Sequence, residues 1–445
     1  MGKWLIIWLI ILLAGMLILG WSIARDIRYS REYPVDLRNR VVGARLVSDG
    51  RLPYFYKWKK ADGVRYYDPR NFDSLVVSNI TASPFHLHLL SPVAGLPQET
   101  LIWGWLVSEY VLLAAMAVFC FSLAATPGQK QWVLVFFLLF LLTNAWKRHV
   151  YTGQSYLWIP FLAMLLFAGL RRTGQWAWGL AAGAAAACLV LIRPNAVFLL
   201  LPFLFLVRRY KRSWLMAFCL PPLLLAGWTA LDARERNLWK DYREMLGESF
   251  KLHQSLGPAL RQNEPDPQFS YWEGVDKPAA DRLDDAERDH AYSENGNVFV
   301  VYRLLFKRSL SPLLLTAAGL VCMAALLLWF YVRHRPFREL SLEQATIFAF
   351  CLYMVNDLFS PYYRHQYYTV QWFFPLLLAA ATWGSGQRKA LWLLAACLLL
   401  GGIHLSFLRM QNTIAEYGIF LVLLVTALGL GLRATQNPRP VSLPK

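Results

Sequence analysis

WAWGLAAGAAAACLVLIRPNAVFLLLPFLFLVRRYKRSWLMAFCLPPLLLAGWTAL, residues 176–231, decides the fold class. Three apolar runs, Trp176–Ile192, Ala196–Val207 and Trp214–Leu231, are separated by an Arg193-Pro194-Asn195 break and by the basic cluster Arg208, Arg209, Lys211 and Arg212. Crossing the hydrocarbon core of a bilayer takes a helix of roughly 17–25 apolar residues. Short connections rich in Arg and Lys mark the cytoplasmic side of such helices. The stretch therefore reads as membrane helices joined alternately on two sides.

The same pattern extends in both directions. Apolar runs stand at about Lys3–Ile23, Leu101–Ala124, Gln131–Ala145, Tyr156–Leu170, Ser311–Val332, Gln344–Asn356, Tyr367–Thr382, Ala390–Phe407 and Ile414–Leu432. With the three above they predict an all-α polytopic membrane protein of about twelve crossings. The first run is longer than a cleavable signal's apolar region and lacks a small-x-small site, so it reads as an uncleaved first helix. Composition agrees: 57% of residues are hydrophobic and 16% charged, against about 25% charged in soluble chains.

The loops set the orientation. If the N-terminus is cytoplasmic, Lys130, Arg171-Arg172, Arg208–Arg212, Arg333–Arg338, Gln387–Lys389 and the tail after Arg433 share its side, and all are short and basic. Both termini are then cytoplasmic, and two long loops, residues 24–100 and 232–310, lie on the outer face. No repeat or low-complexity linker divides the chain, so residues 1–445 read as one integrated domain. The net charge of +17 is accounted for by cytoplasmic loops and anionic lipid headgroups, which leaves no call for nucleic acid. The six cysteines all fall inside apolar runs without a CxxC pair, the pattern of small buried hydrophobes rather than of a disulfide or zinc framework.

The outer face gathers the unusual polar residues. In REYPVDLRNRVVGARLVSDGRLPY (residues 31–54) a helix carries Asp36, Arg38, Arg40 and Arg45, with Asp36 and Arg40 at ion-pair spacing. A solvated amphipathic helix on the headgroups explains the same spacing equally well. NAWKRHVYTGQSYLW (144–158) places His149 at an outer helix end and Gln154 at the entrance of the next helix, where an amide in lipid needs partners. The Arg193-Pro194-Asn195 break puts an arginine at membrane depth, where it must face protein or a cavity. VNDLFSPYYRHQYYTVQW (355–372) brackets a Pro-containing break with Asp357, Arg364 and His365, for which an Asp357–Arg364 pair is the structural explanation. A carboxylate among an excess of cations suits displacement of a phosphate leaving group. The acid takes the proton of an attacking hydroxyl, and arginines stabilise charge on the departing phosphate. A lipid-linked phosphate donor would explain a site at the bilayer edge. No GxxxxGK[ST] or HExxH pattern occurs, and nothing in the sequence points to a metal or other cofactor.

At these residues the chain resembles glycosyltransferase family 87. VDLRNRVVGARLVSDGRLPY is similar to that family's first-loop signature, YTGQSYLWIPFLAMLLFAGLRR to its GQ helix, and LFSPYYRHQYYTVQWFFPLLL to its SP…H segment. The Arg193-Pro194 break and SENGNVFVVYRLL fall in the expected order. The resemblance implies a GT-C bundle with its active site in outer loops. It also implies an inverting transferase that takes mannose or a pentose from a polyprenyl-phosphate carrier to a lipid or glycan acceptor. It sets the catalytic Asp on Asp36, the GQ position on Gln154 and the histidine after SP on His365. Arg38, Arg40, His149, Arg193 and Arg364 join Gln154 and His365 as expected substrate contacts. The chain departs from the pattern at Arg193, where the family commonly has Lys, and at SPYYRH, where it has a tryptophan before the His. Asp49, Asp68 and Asp357 compete with Asp36 for the role of base, with Asp49 before Gly50 reading as a turn residue. Two other functions use the same features: a transporter or flippase of lipid-linked sugar, from the broken helices, and a lipid-linked glycan polymerase or ligase.

Overall fold

A computed structural model of the chain describes residues 2–32, 34–67, 80–255, 271–272, 275–276, 297–306, 308, 310–335, 340–360, 364–383, 389–404 and 411–429. Ten helices, α1 to α10, lead to residue 255: Gly2–Glu32, Val35–Ser48, Pro84–Leu90, Gln98–Leu123, Pro127–Leu142, Asn144–Thr152, Trp158–Leu170, Trp176–Ile192, Arg212–Leu231 and Ala233–Ser255. Further helices are Val298–Phe306, Pro312–His334, Leu342–Leu358, Phe373–Trp383, Lys389–His404 and Gln411–Ala427. Tight 3₁₀ segments occupy Pro194–Leu199, Leu201–Arg209 and Gln366–Trp372. Apart from one two-residue antiparallel pairing, Tyr271–Trp272 with Val275–Asp276, the described elements are helical.

Each of the twelve apolar runs is helical over most of its described residues, but the runs differ in reach. Among the described residues, four helices are long and apolar enough to cross a membrane: Trp8–Arg31 within α1, α4, α9 and Pro312–His334. A fifth span arises if α5 and α6, bent by 56° at their junction, count as one. The others are shorter, and the Ala196–Val207 run is wound as 3₁₀. Pro194 and Pro202, each at the start of its segment, remove amide donors there and favour short tight turns over a long α-helix.

Helices α7, α8 and α9 pack through glycine. A Cβ on Gly183 would stand 2.0 Å from the backbone oxygen of Phe218, and one on Gly179 would stand 2.7 Å from that of Trp214. Across the other side of α8, Gly169 abuts Ala182. Glycines four apart lie on one helix face, and in lipid such a face lets two backbones approach for dispersion contact.

A second cluster of side chains packs beside the first turns of α4, against Leu101, Ile102 and Trp105. Leu37, Val41, Val42 and Leu46 of α2 pack with Leu87 of α3 and with Leu238, Tyr242 and Met245 of α10. The His88 ring nitrogen lies 2.7 Å from a Glu235 carboxylate oxygen, Tyr54 donates to the carbonyl of Ala82 at 2.7 Å, and Arg234 donates to the carbonyl of Val47. Elements of the two long loops thus form one cap. The cap corrects one reading of α2. The face with Arg38, Val41, Val42 and Arg45 is 0–4% exposed, so α2 is a buried cap helix and not a solvated helix lying on headgroups. Arg45 is held by carbonyls, with Nε on Ala94 at 2.7 Å and a terminal nitrogen on Arg65 at 3.0 Å, which offsets its desolvation.

Substituting Gly183→Leu forces the α8 and α9 backbones apart and should cost about 1–3 kcal/mol, the range for overpacking. The measurement is thermal unfolding in detergent. Gly227, whose Cβ would meet nothing within 4 Å, is the control: Gly227→Ala should leave the midpoint unchanged or raise it slightly.

Candidate active site

The α2 helix begins after Pro34 with Asp36 in its first turn, and that turn docks onto the segment joining α6 to α7. Gly153 ends α6 in the left-handed conformation at φ 69° and ψ 43°, which glycine adopts without a Cβ penalty. A Cβ there would stand 2.6 Å from Cβ of Leu37. The next residue supplies the connection: the Gln154 side-chain nitrogen donates to Oδ2 of Asp36, and its oxygen accepts from the Arg40 guanidinium. Arg40 also donates to the Gly153 carbonyl at 2.9 Å. The Asp36–Arg40 spacing thus works through Gln154, whose amide uses both its donor and its acceptor side.

Two residues on, the same segment enters a second cluster. The Arg193 guanidinium lies 4.8 Å from the ring centres of Tyr156 and Tyr368 and 5.6 Å from that of Tyr353. It donates to Asp357 and, through Nε, to Asn195 at 3.1 Å. Asp357 accepts again from Arg364 Nε at 2.9 Å, and Arg364 grips Glu416 with both terminal nitrogens. Two arginines and two acids make a neutral quartet, the condition under which buried charges are tolerated. The Arg193 Nη1 is buried and makes no hydrogen bond among the described residues.

The other expected residues are distributed unevenly. His365 stacks on Tyr367 with centroids 5.0 Å apart, beside the Arg193 cluster. Arg364 is 3% exposed and committed to the quartet, so the Asp357–Arg364 pair is observed, and Asp357 is occupied as well. Arg38 is 1% exposed, inside the cap. His149 is fully buried, its Nε2 2.9 Å from Glu109 and its ring stacked on Trp146, and it presents no open surface to a substrate. Asp49 is hydrogen-bonded to Arg65 and Tyr66, which hold its carboxyl below the usual range. Gly50 at φ 77° completes that turn, as DGRLPY suggests. Asp68 lies outside the described residues, as does most of residues 256–296; of SENGN, Asn297 is described and donates to the carbonyl of Ser360 at 3.0 Å. Among the described residues, no three His, Cys, Asp or Glu side chains converge as metal ligands would.

Sequence reading missed Glu109, Glu416, Asp26 and His86. The first three lie within or beside apolar runs, and an acid there was the available signal. Asp26 accepts from Tyr110 at 2.7 Å and Trp146 at 2.8 Å. His86, in the cap, is pushed down to about 3 by burial and by the neighbouring Arg40.

Two outcomes follow. Gly153→Ala should destabilise the fold by about 1–3 kcal/mol through clash and left-handed strain, and proteolysis of the cap at native temperature should accelerate. His86 is neutral when folded and takes up its proton at about 6.5 when unfolded, so the unfolded state binds more protons between about pH 3 and 6.5. Stability should therefore fall as pH drops through that window and be unaffected above it. Unfolding midpoints at pH 7 and pH 5 should differ for the wild type and converge in His86→Leu.

The model of glycosyltransferase family 87 matches residues 81–263, about two fifths of the chain. The match runs from before α3 into the segment after α10 and takes in His149, Gln154 and Arg193, while Asp36, Arg38, Arg40, Arg364 and His365 lie outside it. No curated protein and no solved structure matches the chain. Over residues 81–263 this membrane-helical chain is similar to glycosyltransferase family 87, and that similarity points to glycosyl transfer as the class of chemistry.

Proposed function

We propose that the protein is an inverting glycosyltransferase in the cytoplasmic membrane of a bacterium, with both termini inside and its active site on the outer face. It moves a sugar, mannose or a pentose, from a polyprenyl-phosphate donor to a lipid or glycan acceptor in cell-envelope synthesis. The observation that carries this reading is the hydrogen-bonded connection of Asp36 through Gln154 to Arg40. It joins the first-loop acid to the GQ segment that lies within the family match.

Asp36 accepts the proton of the acceptor hydroxyl as its oxygen attacks the anomeric carbon from the face opposite the phosphate. The bond from that carbon to the phosphate oxygen breaks, and polyprenyl phosphate departs with the electron pair. Attack from the opposite face inverts the anomeric configuration. Gln154 fixes the carboxylate's direction, which matters because a base must lie in line with the proton it takes. Arg193 stabilises the departing phosphate, its Nη1, which makes no hydrogen bond among the described residues, offering a donor where charge develops, and His365 stacks on Tyr368, a ring that Arg193 also faces. A membrane-embedded body under a polar cap suits a donor whose tail is lipid and whose head is a sugar phosphate.

Purified protein should be assayed with polyprenyl-monophosphate and polyprenyl-diphosphate sugars. Turnover of the monophosphate donor is expected, and Asp36→Asn should reduce it by at least about 10²-fold, the lower range for loss of a general base. The variant should fold as the wild type does. Wild-type turnover in Asp36→Asn would remove Asp36 from the mechanism. Use of the diphosphate donor alone would favour a polymerase or ligase.

A further inference from the structure

The α4 helix carries a glutamate inside a membrane span, buried at 0% exposure. An ionisable group at that depth is costly and needs a partner. Its partner is His149: the carboxylate oxygen of Glu109 lies 2.9 Å from Nε2 of the ring, which is itself fully buried. One turn earlier on α4, Trp105 donates its indole N–H to the backbone carbonyl of Gln154 at 3.2 Å. Residues 105 and 109 are four apart and lie on one face of the helix. That face therefore holds the end of α6 at two points, the His149 side chain and the Gln154 backbone.

The two points are connected through the turn itself. The Gln154 amide donates to the carbonyl of His149 at 3.0 Å, closing the Gly153 turn. A third hold secures the preceding turn of α6, where Trp146 donates to Asp26 at 2.8 Å and stacks under the His149 ring. These three contacts hold α6 at Trp146 and His149 and the turn after it at Gln154, whose side chain reaches Asp36.

We infer that Glu109 is a positioning residue for the reacting carboxylate, acting through His149 and the Gly153-Gln154 turn. The inference rests on the reading of Asp36 as the base. Glu109 touches no reacting atom in this account; it sets where the Gln154 amide stands, and the amide sets the direction of Asp36. Its bond to His149 needs an acceptor at one ring nitrogen, and a glutamine carbonyl can supply that. Transfer of a proton through Glu109 would need the carboxylate itself. The two roles are therefore separable by substitution.

The test uses the full-length protein in detergent with Glu109→Leu and Glu109→Gln. Hydrogen exchange should rise in Glu109→Leu at the amides of residues 149–157 and stay at the wild-type level in α9. The monophosphate-donor assay should show kcat reduced by about tenfold to hundredfold with KM changed less than threefold, the order of loss for a small misplacement of a catalytic group. Glu109→Gln should recover most of kcat. Wild-type exchange at residues 149–157 in Glu109→Leu overturns the inference whatever the turnover, as does loosened exchange with wild-type kcat. A Glu109→Gln variant as inactive as Glu109→Leu overturns the positioning role in favour of proton transfer. A wild-type chain with no transfer from any donor would overturn the functional reading, while exchange would still decide whether Glu109 holds the turn.

Discussion

One side-chain amide connects the two halves of the candidate site. Gln154 gives its N–H to Asp36 and its oxygen to Arg40, so a loop helix and the entrance of a membrane helix are held in register by one planar group. A carboxylate here could not accept from Arg40 and also donate to Asp36, and a lysine could not accept from Arg40 at all. The neighbouring Gly153 is equally constrained, since Leu37 of α2 occupies the space a Cβ would need. The GQ dipeptide is therefore a docking point: glycine admits the helix, and glutamine orients its acid.

Around this point the protein uses two different kinds of interior. The membrane body is close-packed apolar surface, with glycines where α8 meets α7 and α9. The cap is a mixed interior in which Arg45 and Tyr54 satisfy backbone carbonyls and apolar residues from both long loops fill the remainder. Burying a polar helix such as α2 is tolerated where its charged groups find fixed partners, as Arg40 and Arg45 do. The Arg193–Asp357–Arg364–Glu416 quartet applies the same rule and, among the described residues, leaves one guanidinium nitrogen of Arg193 without a hydrogen bond.

Much of the arrangement was legible in the chain, and what was not has identifiable causes. The helical class, the Arg193 break, the Asp49 turn and the Asp357–Arg364 pair follow from local signals: apolar run length, a proline, a glycine at positive φ and short spacing. Helix lengths were less legible, because 3₁₀ winding at Pro194–Arg209 and the bend between α5 and α6 depend on neighbouring packing. Partners distant in sequence were invisible. Glu416 meets Arg364 across 52 positions and Gln154 meets Asp36 across 118, and no spacing rule reaches so far. The burial of α2 was missed for the same reason, since its cover comes from α3 and α10.

The reaction assigned to this face depends on where a donor sits. The most direct measurement is a structure of the protein with a polyprenyl-phosphate sugar bound. The account predicts phosphate density against Arg193, within the ring of Tyr156, Tyr353 and Tyr368, and the Asp36 carboxylate turned toward the side of the anomeric carbon opposite that phosphate. Phosphate bound away from Arg193, or a different carboxylate facing the anomeric carbon, would contradict it.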